Sequence, residues 1–214
     1  MTASTARDVK FWDKLADKYS KQPIADQQTY ETKLAITRKY LTPESEVFEF
    51  GCGTGSTAIL HAPFVKHIHA TDISDNMLAV GRERAAEAGV TNVTFECTDI
   101  ASFDPKGRQF DTVLGLNIIH LCRDPLAVMQ TAKTLLKPGG YFIQSTVCLK
   151  DAMPIAPFII PVLQLFGKAP YAHFMKRADL DAHMAAAGFE VVEEFRADKK
   201  LTADFIVARA SGTA

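Results

Sequence analysis

The chain lacks any apolar run of the ~18–20 residues needed to cross a bilayer. The nearest approach, residues 152–167, is shorter and is interrupted by Pro154, Pro157 and Pro161. The first eight residues carry no apolar h-region, so no secretory leader is expected. Cysteine is sparse: Cys52, Cys97, Cys122 and Cys148 stand singly, with no C-x-x-C and no clustered histidine. That excludes a zinc site and a disulfide framework; a reducing, cytoplasmic setting is expected, with no metal. Charge of either sign is not in excess. A net charge of −1 lacks the basic footprint of a nucleic-acid binder, so no nucleic-acid partner is expected. No repeat and no linker divides the 214 residues, which reads as a single domain over 1–214 with one sizeable core.

What is present is organised around Val47-Phe48-Glu49-Phe50-Gly51-Cys52-Gly53-Thr54-Gly55-Ser56. An apolar strand stops at Gly51, glycines follow on alternate positions, and Ser56 begins a helical pattern. A turn of this kind at the carboxyl end of a parallel strand is a nucleotide-type binding site. The dinucleotide fingerprint would place its third glycine at position 56, where Ser56 stands, and no lysine follows at P-loop spacing.

Two amphipathic helices are expected ahead of this turn. One covers 5–21, with Val9, Trp12, Ala16 and Tyr19 on a stripe, and one runs from Gln27 to Leu41. After it, strands and helices alternate. The second strand, His67–Asp72, ends on an acid about 20 residues past the first glycine, where a carboxylate can accept both hydroxyls of a ribose. Ser74 is the expected N-cap of a helix over 75–88. Asn92–Glu96 reads as a third strand and Phe110–Leu121 as a fourth strand with its turn. Asp124-Pro125 starts a helix, which Lys137-Pro138-Gly139-Gly140 ends before a fifth strand at 141–146. A helix over 177–187 and strands at 189–195 and 203–208 follow. The pattern is α/β: a doubly wound, seven-stranded, mostly parallel sheet with an antiparallel C-terminal strand and helices on both faces.

The run Glu49 to Gly55, with Asp72 and the Leu-Leu-Lys-Pro-Gly-Gly before the fifth strand, resembles class I S-adenosylmethionine (SAM)-dependent methyltransferases of the small-molecule type. The likeness covers roughly residues 45–210. It implies SAM as cofactor, with S-adenosylhomocysteine as product. It also implies Gly51, Cys52, Gly53 and Gly55 against the methionine part of SAM, and Asp72 on the ribose. Ile73, Met77 and Ile100 would lie beside the adenine, Asp99 on its amino group, and Asn117 near the methionine moiety. Residues 1–44 would form a helical lid over a SAM-binding core at 45–146, with Tyr19 reaching the cofactor and Phe11 and Trp12 the acceptor; the other reading of these two helices is a cover for one edge of the sheet. Residues 147–175 would be an apolar substrate-side insertion carrying Phe158 and Tyr171, and 176–214 a closing helix and strands. His120, Tyr171 and His173 are the candidate bases; His120 also stands on the acceptor side.

The expected reaction is methyl transfer by in-line displacement to a sulfur, oxygen or nitrogen of a small, rather apolar acceptor, driven by proximity and desolvation. The absence of Asn-Pro-Pro-Tyr after the fourth strand argues against the DNA-amino type. Two alternatives stay open. One is a methyltransferase for a quinone or phospholipid intermediate, in peripheral contact with a membrane. The other is a SAM-binding module without turnover. The 153–167 stretch also has three readings: a helix packed on the domain's own core, a cover over substrate, or a surface that meets lipid or a second copy.

Overall fold

The computed structural model describes residues 6–197 and 202–211. Thr5, the expected first residue of the opening helix, and the two ends of the 1–214 domain assignment lie outside them. Two helices lead, α1 (Ala6–Ser20) and α2 (Gln27–Arg38). Then come β1 (Glu46–Phe50), α3 (Ser56–His61), β2 (His67–Asp72), α4 (Asp75–Glu87), β3 (Val93–Cys97), β4 (Phe110–Leu116), α5 (Pro125–Leu135) and β5 (Leu136–Thr146). Two helices, α6 (Leu149–Ala152) and α7 (Ala156–Leu165), precede α8 (Arg177–Ala186), β6 (Phe189–Phe195) and β7 (Asp204–Ala210).

The strands form one seven-stranded sheet in the order β3-β2-β1-β4-β5-β7-β6. The first five are parallel to their neighbours. β7 runs antiparallel to both β5 and β6. The chain steps outward from β1 to β2 and β3, then returns to lay β4 on the other side of β1. The order therefore reverses between β1 and β4, and a crevice opens above their carboxyl ends.

Alternating residues of each central strand enter different cores. Phe48, Phe50, Val113 and Phe142 pack with Met129 and Leu135 of α5 and Leu180 and Met184 of α8. Val47, Leu114, Ile143 and Phe205 pack on the opposite face with Ile36 of α2 and Ala58 of α3. A strand buried on both faces has no polar side to show, which is why these runs are continuously apolar.

The expected caps form. Ser74 accepts from the N–H of Met77 at 3.1 Å, and Asp124 from the N–H of Ala127 at 3.0 Å. Lys176 lacks a hydroxyl, and its own N–H is instead held by Asp179 at 2.8 Å.

Three expectations need correction. First, α2 stops at Arg38, short of Leu41. Second, Lys137–Gly140 does not separate helix from strand: β5 begins directly at Leu136, opposite Phe110. The ladder resumes with Tyr141 opposite Thr112, so the four residues bulge within the strand. The bulge is pinned by Lys137, whose ammonium lies 2.8 Å from Asp111. Third, α7 is not packed on the core, since Ala156 alone among its residues is buried.

Gly55, ahead of α3, sits at φ +68°, and a Cβ there would come within 2.6 Å of the Phe95 ring. Gly55→Ala should therefore lower stability by about 2–5 kcal/mol, summing left-handed strain of ~1–2 with overpacking of ~1–3. Thermal melting of the variant checks this.

Candidate functional site

The loops above β1, β2, β3 and β4 meet helices α1 and α2 around one cavity of about 810 Å³. Its floor is the glycine turn. Gly53 lies at φ +55°, a backbone state that disfavours side chains, and nothing stands within 4 Å of where its Cβ would project. The backbone is thus bare toward the cavity, as close approach of a ligand requires.

Asp72 at the tip of β2 fixes this floor to the next loop. One carboxylate oxygen accepts the N–H of Gly53 at 2.8 Å, and the other that of Ser74 at 2.9 Å. Burial raises the Asp72 pKa, and the backbone N–H groups partly oppose that rise. Arg84 of α4 braces the turn from outside. It donates to the hydroxyls of Thr54 and Ser56, both at 3.0 Å, and to the carbonyl of Ser20 at 2.6 Å.

Beside the floor lies Glu49, 3% exposed, next to the last residue of apolar β1. Its Oε2 has no hydrogen-bond partner among the described residues. Burial, with Asp72 adding repulsion, pushes its pKa up to about 8. This carboxyl lines the same cavity as Asp72.

At the tip of β4, Asn117 adopts φ +57°. Its N–H donates to the carbonyl of Ser145 at 2.8 Å. The Ser145 hydroxyl donates to Asn117 Oδ1 at 3.1 Å, and Lys33 Nζ of α2 donates to that hydroxyl at 3.1 Å. Asp99 holds the N–H of Ser102 at 2.8 Å, fixing the loop after β3.

The outer wall is aromatic. Trp12 and Tyr19 come from α1 and Tyr30 from α2. The Tyr30 hydroxyl is 3.3 Å from Thr57 Oγ1. Burial and the nearby Asp72 raise the Tyr19 pKa. Asp13 anchors α1 over the site by accepting from the Ser74 hydroxyl at 2.7 Å. At the far side Arg123 pairs with Asp8 of α1 at 2.7 Å and lies over the Tyr171 ring at 4.3 Å.

Of the residues singled out in the sequence, Trp12, Tyr19, Gly51, Cys52, Gly53, Asp72, Ile73, Met77, Asp99, Ile100, Asn117 and Tyr171 line this cavity. Others do not reach it. Gly55 is a glycine because Phe95 covers it. Phe11 lines a smaller neighbouring cavity. Phe158 is turned outward on α7, 79% exposed.

Neither His120 nor His173 is on the wall. The His120 carbonyl accepts the N–H of His173 at 2.7 Å, and burial lowers the His120 pKa to about 4. Sequence reasoning passed over Glu49, whose only signal is an acid within an apolar strand. It also passed over Tyr30, within the expected second helix, and the Asp8–Arg123 pair, whose partners are far apart in the chain. Among the described residues no group of three or more His, Cys, Asp or Glu could hold a metal ion.

A parallel sheet with its reversal at β1 and β4, a bare glycine turn at one strand tip and an acid at the next, defines a nucleoside-binding α/β protein. The model of a family described as a methyltransferase domain matches residues 41–194, and the chain belongs to that family. It is similar to the ubiquinone biosynthesis O-methyltransferase of Dinoroseobacter shibae, with 29% identity over 153 residues. These make up 69% of this chain and 61% of that protein, so the likeness spans less than two thirds of the relative. Among solved structures it is similar to the CcbJ methyltransferase of Streptomyces caelestis. The TM-score there is 0.75 at 22% identity, over 97% of this chain and 100% of the other. It is also similar to the cyclase SpnF, with a TM-score of 0.80 at 16% identity over 100% and 99% of the two chains. These two likenesses carry the fold, and one of them belongs to a protein named for a different reaction.

Between pH 4.5, the ordinary glutamate value, and about 8, the folded protein keeps a proton on Glu49 that the unfolded chain has released. Stability should therefore fall as pH rises through that window and level off above it. In Glu49→Gln this fall should be absent. Denaturant titrations of both proteins at the two ends of the window measure it, and parallel curves would remove the assignment.

Proposed function

We propose that the chain is a SAM-dependent methyltransferase acting on a small, rather apolar acceptor, and that it works as one domain with α1 and α2 as its cover. The observation that carries this is the pairing of Glu49 with Asp72 on one cavity wall. A buried carboxyl lacking a partner calls for a cation, and SAM brings an ammonium and a sulfonium. Each Asp72 oxygen accepts one backbone N–H and keeps a lone pair for a ribose hydroxyl. Asp99 is an acceptor suited to an adenine amino group, while Ile73, Met77 and Ile100 offer apolar surface to the ring. Bare Gly53 admits the methionine part. The residues present therefore fit the cofactor. The cavity lies toward the upper end of the ~300–1,000 Å³ of ligand sites, with space for an acceptor beside it.

When bound, SAM supplies a methyl group on a positively charged sulfur that leaves as a neutral thioether. The chain's own work is to hold, align and dry the reacting pair. Glu49, Asp72 and Asn117 fix the donor end from the strand tips. Trp12, Tyr19 and Tyr30 exclude water from above, and Trp12 and Tyr171 flank the acceptor. Alignment of this kind supplies ~7–11 kcal/mol of barrier reduction. Of the three candidate bases, Tyr171 is the one on the wall, and we give it an acceptor-orienting role beneath Arg123. Four unpaired cysteines support a reducing, cytoplasmic setting.

A second reading makes the acceptor a quinone or phospholipid intermediate. It is favoured by the likeness to a ubiquinone biosynthesis enzyme and by the aromatic acceptor wall. A screen of thiol, phenol, amine and quinone acceptors with methyl-labelled SAM separates the readings. Absence of transfer to all of them, with SAM still bound, would leave the non-catalytic module.

Asp72→Ala should weaken SAM binding by at least about tenfold through loss of two charge-assisted bonds. Unchanged calorimetric affinity would refute the ribose role. Wild-type affinity should also tighten as pH rises toward about 8, because a cationic ligand selects the ionised form of Glu49. That dependence should vanish in Glu49→Gln.

A further inference from the structure

Helix α7 presents its apolar side chains to solvent. Phe158 and Leu165 are each 79% exposed, followed by Phe166, Ile155 and Val162. The helix itself carries no charge, and residues 152–175 contain no acid; Lys168 is the single lysine among them. A contiguous exposed patch of this kind marks a contact surface.

Beside it stands the basic side of α1. Arg7 donates to the carbonyl of Gln164 and so ties the two helices together. Arg7, Lys10 and Lys14 line a cavity of about 390 Å³ whose far wall includes Phe166. The acids of α1 are each engaged: Asp8, which lines the same small cavity, pairs with Arg123, Asp13 is bonded to Ser74, and Asp17 is 2.7 Å from Lys21. The chain as a whole is close to neutral, so this cationic edge is local.

We propose that α7 and the basic side of α1 form a docking surface for an anionic lipid bilayer. At ten residues, about 15 Å long, α7 is too short to span one. Lying in the interface, it would sink Phe158, Val162 and Leu165 among the acyl chains while Lys10, Lys14 and Lys168 meet the headgroup phosphates. A second copy of the chain is the poorer occupant. A symmetric dimer through α7 sets each cationic edge near its own duplicate, and like charges oppose that pairing.

The surface also adjoins the main cavity. The smaller cavity shares Asp8, Arg123 and Tyr171 with the main one. An acceptor dissolved in the bilayer would reach the aromatic wall from α7 only by parting the Asp8–Arg123 pair and the Tyr171 ring stacked on it. This last step rests on the methyl-transfer reading; the docking itself does not.

Flotation of the purified chain tests the docking, with vesicles of phosphatidylcholine alone and of phosphatidylcholine mixed with phosphatidylglycerol in equal parts. Wild type should float with the mixed vesicles, and raised salt should release it. Phe158→Ser with Leu165→Ser should reduce partitioning by at least about tenfold. Lys10→Glu with Lys14→Glu should reduce it comparably on mixed vesicles and leave phosphatidylcholine alone unchanged. These positions are exposed, and unchanged melting temperatures establish that the variants fold. Failure of the folded wild type to float with either vesicle would overturn the proposal. So would a dimer, seen by light scattering, that the Phe158 and Leu165 changes dissolve. SAM affinity, measured in the same preparations, separates loss of docking from loss of the proposed activity.

Discussion

Two carboxyl groups turned toward one buried space constrain this molecule more than any other contact. Glu49 and Asp72 stand on neighbouring strands, and the charge of Asp72 adds to burial in holding a proton on Glu49. Asp72 is stabilised by two backbone N–H groups, whereas the outer oxygen of Glu49 has no such support. Burial of a polar group without a partner is unfavourable by about 1–3 kcal/mol. A site that tolerates this is poised to receive positive charge. The glycine turn and the aromatic wall then decide which cation has the right shape.

The arrangement follows from topology. Parallel strands put their carboxyl ends on one edge, and the reversal between β1 and β4 parts the loops there. The acid of β2 reaches across to the turn after β1 because Glu46–Phe50 and His67–Thr71 are paired residue for residue. Helix α1 is then held above the gap by polar contacts to the start of α4, through Asp13, Ser74 and Asn76. Helix α1 is therefore attached to the same loop that Asp72 orients.

Much of this was legible in the chain. Apolar runs, the first of them stopped by glycine, and a Ser or Asp ahead of two helices placed β1, β2, α4 and α5 within a residue or two. The acid at Asp72 stood out because its spacing from the turn is physical, set by one helix and one strand. Less was legible where a side chain's direction depends on distant neighbours. Period-two alternation puts Glu49 on the face of Val47, but nothing local says that α2 leaves space above it. Arg123 and Asp8 belong to opposite regions of the chain and carry no joint signal. Helix α7 was ambiguous for a different reason. A helix apolar on all sides has no stripe to tell which side faces inward. Lys137–Gly140 misled because proline and glycine end helices as readily as they shape a strand bulge.

The position of β7 has a consequence for how the molecule is made. Among the described strands it comes last in the chain, yet it lies inside the sheet, and among the described residues β6 pairs with no other strand. During synthesis β5 must therefore wait with one edge unpaired, exposing the ladder groups of Tyr141 to Thr146, until Asp204–Ala210 arrives. An uncovered strand edge is a template for mispairing with another nascent chain. The nucleoside-facing half of the sheet can assemble early, and vulnerability to aggregation is concentrated in the interval before the final strand slots into place.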